Sequence, residues 1–142
     1  MRALLDVNVL IALLDADHAS HDTALAWFGD HAKGGWASCP ITQNGCVRIM
    51  SHPGYPHAHA VVEIVQRLKA ATADRSHEFW PDSLSLLDGS VIDATRVHGP
   101  RQLTDVYLLA LAVQNGGRLV TFDGSLATGA VKGATSRHLL RL

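Results

Sequence analysis

The stretch Ala3-Leu4-Leu5-Asp6-Val7-Asn8-Val9-Leu10 decides the fold. Ala3 to Asp6 is a short apolar run that ends in an acid, and a mostly apolar helix from Val7 to Leu14 follows directly. A brief apolar run bounded in this way predicts a strand buried on both faces, which is the habit of strands in parallel sheets. The same pattern returns down the chain. After the Asp15-Ala16-Asp17 turn, Ala24, Leu25, Trp27, Phe28 and Ala32 give an apolar stripe to a helix over His21 to Lys33, stopped by Gly34-Gly35. Trp36 to Ser38 predicts a short strand. Pro40 opens a helix that runs to about Met50, since proline suits the first helical position.

Beyond the loop Ser51 to Pro56, a helix is expected over His59 to Ala73 and a brief strand over His77 to Trp80. Pro81 to Gly89 is a turn-rich linker, and Val91-Ile92-Asp93 predicts a short helix or strand. Thr104 is placed to cap a helix from Asp105 to Asn115, ended by Gly116-Gly117. Arg118 to Phe122 predicts a strand closed by Asp123-Gly124, and His138 to Leu142 an edge strand. No repeat and no long linker divides the chain, so residues 1–142 are expected to form a single domain. Short strands alternating with helices predict an α/β fold, with a parallel sheet between helices on both faces.

Composition narrows the function. With 142 residues, 47% hydrophobic and 18% charged, the chain can bury a core, which excludes global disorder. A formal net charge of -1 excludes a basic nucleic-acid coat. No apolar run is long enough for a membrane span, and Asp6 comes too early for a signal peptide. Cys39 and Cys46 cannot make a disulfide framework. A cytoplasmic protein is expected. Eleven of the 13 acids are Asp, and nine of the 12 bases are Arg. Asp belongs at helix starts, turns and metal sites, and Arg forks onto phosphates.

Three of those aspartates fall at one edge of the predicted sheet. Asp6 ends the first strand, Asp123 closes the strand from Arg118, and Asp105 lies one residue inside the helix capped by Thr104. Strand C-termini and helix N-termini share the edge where open parallel sheets bind ligands. Carboxylates crowded there repel one another and raise each other's pKa, which a hard cation such as Mg²⁺ or Mn²⁺ relieves. For any one Asp the plainer reading is a cap or a turn. The pairs His18/His21 and His57/His59 lack a third ligand nearby in sequence and read as capping or solvated residues.

Four segments together resemble the PIN-domain family, and within it the VapC toxins of bacterial type II toxin–antitoxin modules. They are Leu4 to Leu10, Thr42-Gln43-Asn44-Gly45-Cys46-Val47-Arg48-Ile49, Arg101 to Ala112, and Leu119-Val120-Thr121-Phe122-Asp123. Ser51-His52-Pro53 and Phe79-Trp80-Pro81-Asp82 look like one subgroup of these toxins. The resemblance implies a three-layer α/β/α sandwich with a short parallel sheet. It also implies an endoribonuclease dependent on Mg²⁺ or Mn²⁺ that leaves a 5′-phosphate and a 3′-hydroxyl, and a homodimer restrained by a VapB-like antitoxin. It assigns Asp6, Asp105 and Asp123 to the metal, with Asn8 and Thr121 orienting them. The family's remaining acid, a Glu, is here Gln43, which stays among the catalytic candidates because its amide oxygen can contact a metal or its water, though it brings no charge. Arg48 and Arg101 are candidates for holding the RNA backbone. The alternative is a catalytically weak PIN-like module that binds RNA or a partner, for which Gln43 speaks. A receiver-like phosphoacceptor would need Lys132 near the last strands.

Overall fold

The computed structural model describes residues 1–142. Five strands, β1 (Ala3–Leu5), β2 (Trp36–Ser38), β3 (His77–Phe79), β4 (Arg118–Thr121) and β5 (Leu139–Arg141), form one sheet in the order β3-β2-β1-β4-β5. All four pairings are parallel. Parallel neighbours cannot be joined by hairpins, so each connection crosses a face of the sheet. Five helices run along those crossings: α1 (Val7–Leu14), α2 (His21–His31), α3 (Pro40–Met50), α4 (Val61–Thr72) and α5 (Leu103–Gln114). The chain builds outward from β1 to β3, then returns to the other side of β1 to lay down β4 and β5. The order therefore reverses between β1 and β4, and a crevice opens at their C-terminal ends.

Alternation along the strands divides the core into two layers. Leu4, Ala37 and Leu119 face one side and meet α5, while Ala3, Leu5, Trp36 and Val120 face the other with α1, α3 and α4. This is the expected three-layer α/β/α sandwich. Every residue of α5 from Val106 to Ala112 is buried. A helix apolar all round has no other stable place than the interior.

Several boundaries differ from those expected. The second helix ends at His31 and tightens into a 3₁₀ turn over Ala32–Gly34. Gly35 then takes φ +86, a left-handed value that suits glycine, and a Cβ there would strike the Arg2 guanidinium. Val91 to Asp93 is neither helix nor strand: Ile92 makes one antiparallel bridge to Val131, and Asp93 caps a 3₁₀ turn, Ala94–Arg96. Thr104 is not a cap. A 3₁₀ turn over Pro100–Gln102 runs straight into α5, and the Leu103 N–H already bonds to the Pro100 carbonyl. The helix thus starts two residues early, which makes Asp105 its third residue.

Trp80, just past β3, ties the edge of the sheet to the core. It is 2% exposed, its N–H donates to the Ser38 carbonyl at 2.9 Å, and its indole N–H donates to Glu78 Oε1 at 3.0 Å. Its ring fills the space that a Cβ on Gly117 would need, 2.6 Å away. Trp80→Ala is expected to lower unfolding free energy by about 3–5 kcal/mol in denaturant titrations. Leu25→Ala, at a 50% exposed position, is expected to cost less than about 0.5 kcal/mol.

Candidate functional site

Leu5 lies opposite Val120, so the residues that leave β1 and β4 emerge side by side. The Asp6 N–H continues the ladder to the Val120 carbonyl at 3.0 Å. Its carboxylate then does two things. Oδ1 accepts from the Val7 N–H at 2.7 Å, which caps α1, and Oδ2 accepts from Thr121 Oγ1 at 2.6 Å. The Thr121 hydroxyl also accepts from Asn8 Nδ2 at 3.3 Å and from the Asp123 N–H at 3.0 Å. One donor and two acceptor sites are a hydroxyl's full capacity. Asn8 Oδ1 in turn accepts from the Phe122 N–H at 3.3 Å. Asp6, Asn8, Thr121 and Asp123 are thus held in one network.

Asp105 enters this network from α5. Burial, the charge of Asp6 and the adjacent Asp123 carboxyl push its pKa up to about 7. A helix N-terminus favours an ionised acid by about 0.3–1 kcal/mol, which opposes this rise. Burial likewise raises the carboxyl of Asp6, against the lowering effect of its bonds from Thr121 and Val7. Asp123 moves the other way. Its Oδ1 accepts from the N–H and hydroxyl of Ser125, both at 2.7 Å, which favours the ionised form. Asp105 is therefore the member that takes up a proton, beside an Asp123 that stays charged.

The three carboxylates influence one another's charge, but as placed in this structure no group of three or more acidic, histidine or cysteine side chains is arranged to hold a metal ion. An all-oxygen donor set with crowded negative charge fits a hard divalent cation, which would replace the proton on Asp105.

The remaining expected residues lie around this cluster. Gln43 Nε2 donates to Ser38 Oγ at 2.9 Å, and Ser38 Oγ lies 2.8 Å from His77 Nε2. Gln43 thereby engages the end of β2 rather than an aspartate. Arg48, exposed on α3, and Arg101, exposed in the 3₁₀ turn before α5, have no carboxylate partner. Lys132 donates to the Gly89 carbonyl at 2.7 Å and pairs with none of the three aspartates, whereas a receiver-like role would need such a pair. The histidines do local work: His18 Nδ1 accepts from the Ser20 N–H at 3.0 Å, His21 Nδ1 donates to the Ala12 carbonyl at 2.7 Å, and His59 faces Glu63. Asp82, given no role in the sequence beyond its place in Phe79-Trp80-Pro81-Asp82, lines a cleft against α3 near Cys39.

Residues 3–131 match the family model described as "PIN domain". The chain belongs to the PIN-domain family. This PIN domain is 56% identical to Ribonuclease VapC44 of Mycobacterium tuberculosis over 142 residues, the whole of both chains. It is 46% identical to Ribonuclease VapC39 of the same organism over 134 residues, covering 94% of this chain and 96% of the relative. The crystal structure of VapBC2 from Rickettsia felis, bound to a DNA fragment from their promoter, shares the fold with a TM-score of 0.58 at 16% identity. That match covers 88% of the PIN domain and 90% of the solved chain. No helix of the PIN domain is long and apolar enough to cross a membrane.

The raised pKa of Asp105 gives a signed expectation for the metal-free protein. Between the unfolded carboxyl value near 4 and the folded value of about 7, the folded state binds a proton that the unfolded chain has lost. Stability contributed by Asp105 therefore falls as pH rises through that window and levels off above it. Asp105→Asn removes the fall. In EDTA at pH 8 the variant is expected to be more stable than wild type by on the order of 1 kcal/mol, with the gap closing near pH 4. Thermal melts across pH check this, and a variant that melts lower at pH 8 would assign Asp105 to the helix dipole alone.

Proposed function

We propose that this PIN domain is a metal-dependent endoribonuclease, the toxin of a VapBC-type toxin–antitoxin module. The observation that carries the reading is the Thr121 hydroxyl bond to Asp6, which sets Asp6 beside Asp105 and Asp123 at the switch point of the sheet. The names of the full-length relatives support it.

Asp6, Asp105 and Asp123 would hold the ion, Mg²⁺ or Mn²⁺. When bound, the cation supplies an activated water for phosphodiester hydrolysis and offsets charge that builds on the phosphate. The protein's own groups do the positioning. Thr121 and the Val7 N–H fix both oxygens of Asp6. Asn8 holds Thr121 and the chain at Phe122, and Ser125 keeps Asp123 ionised. Asp105, once deprotonated, would complete the set of charged oxygens. Gln43 adds no charge, so three carboxylates serve the site. Arg48 and Arg101 suit the RNA backbone, since a guanidinium matches phosphate geometry and neither has another partner.

A VapB-like antitoxin segment is expected to lay an apolar face on α2 and α3, where Leu25 and Ile49 are exposed, and to place an Arg against the acids. The working unit is proposed to be a cytoplasmic homodimer of single-domain chains. A weakly catalytic RNA-binding module is the second reading, favoured by the missing carboxylate at Gln43.

Expression without a partner is expected to arrest growth for the wild type and not for Asp6→Ala. The purified wild type is expected to cut total RNA with Mg²⁺ or Mn²⁺, with cutting lost in EDTA. Equal toxicity of both proteins would sink the nuclease reading, and RNA binding without cutting would favour the second.

A further inference from the structure

We propose that the cleft between α1, α3 and the start of α5 is a subsite for one guanine base of the RNA, read by the Asp82 carboxylate. The proposal deepens the ribonuclease reading and rests on it for the identity of the polymer.

The cleft has a volume of about 370 Å³ and is lined by Val7, Ile41, Asn44, Arg48, Asp82 and Thr104 among others. That is the lower range of small-ligand sites. Its position is set by the acids. Val7 follows Asp6 and Thr104 precedes Asp105, so the cleft opens beside the cluster where the scissile phosphate is expected. A nucleotide flanking that phosphate meets this cleft first. Its floor is tight, because Gly45 of α3 lies so near α1 that a Cβ would come within 2.8 Å of Val7 Cγ2. Val7 and Ile41 offer apolar surface to the face of a base.

Asp82 is exposed on a stretch of backbone that is fixed: Trp80 is locked in the core and Pro81 restricts the next step of chain. Yet Asp82 has no ion-pair partner, and neither has Arg48 on the same cleft. A carboxylate in an RNA groove repels phosphate, so its use there is to accept hydrogen bonds from a base. RNA-binding proteins read such edges on unstacked bases. Guanine alone sets two donors side by side on its Watson–Crick edge, N1–H and the N2 amino group, which match the two oxygens of one carboxylate. Adenine and cytosine put an acceptor nitrogen beside their amino group, which a carboxylate repels. Uracil places its one N–H between two carbonyls. Arg48 at the rim is left to the neighbouring phosphate.

The test uses fluorescently labelled RNA pentamers UUXUU, where X is G, inosine, A, C or U. Binding is read by anisotropy in an Asp6→Asn background, so that cleavage does not consume the probe. G is expected to bind about tenfold tighter than inosine, which lacks the N2 amino group, in line with one base-edge contact. Asp82→Asn replaces two acceptors by an acceptor and a donor, the complement of adenine and cytosine, so preference is expected to move from G to A and C. A misfolded variant cannot gain such a preference. Equal affinities across X, no binding of any pentamer, or an unchanged preference in Asp82→Asn would each overturn the proposal. Total-RNA cleavage by the wild type, run separately, tests the nuclease reading: G preference without cutting would leave the subsite standing and remove the nuclease.

Discussion

The hydrogen bond from the Thr121 hydroxyl to Asp6 is the contact on which the candidate site depends. It joins the ends of two adjacent parallel strands and leaves no polar atom of either residue idle. Asp6 is 5% exposed, and a buried carboxylate without such partners would be costly. The same carboxylate caps α1, so one side chain serves helix, sheet and site together. Its freedom to move is accordingly small, which is what a metal ligand or a phosphate-facing acid requires.

Charge is where the fold and the site compete. Two-sided burial of the sheet favours the folded state, while the gathering of Asp6, Asp105 and Asp123 opposes it. The protein limits the conflict by treating its acids differently: Asp123 is supported by Ser125 at the surface, Asp6 by Thr121 inside, and Asp105 is left to take a proton. Unequal environments for like groups let a cluster adjust its charge in steps rather than all at once.

The layers, the parallel sheet and the acid edge were legible because they rest on local pattern. Apolar runs of three or four residues, each followed by a helix, leave few alternatives to a sheet covered on both faces. Asp6 was legible because it directly follows a strand and Asp123 because it lies just past one, and the PIN resemblance supplied Asn8 and Thr121. Less local features were hidden. The start of α5 depends on a 3₁₀ turn that borrows the Leu103 N–H, so Thr104, a good cap by type, has nothing to cap. Gln43 bonds to Ser38, whose neighbour His77 comes from another strand, and no reading of one helix could reveal that. Asp82 gains meaning only through the burial of Trp80 and the approach of Cys39, both set by tertiary structure.

The strand order has a consequence for how the protein is made. Asp6 and Thr121 are 115 positions apart in the chain, and β4 fills its place beside β1 only after the rest of the α/β crossings are laid down. Synthesis runs from the N-terminus, and contacts of such long range are the last to form. A nascent chain that carries Asp6 alone has neither the brace nor the companion acids. The ribosome therefore holds a polypeptide without its acid centre until Thr121 and Asp123 have emerged.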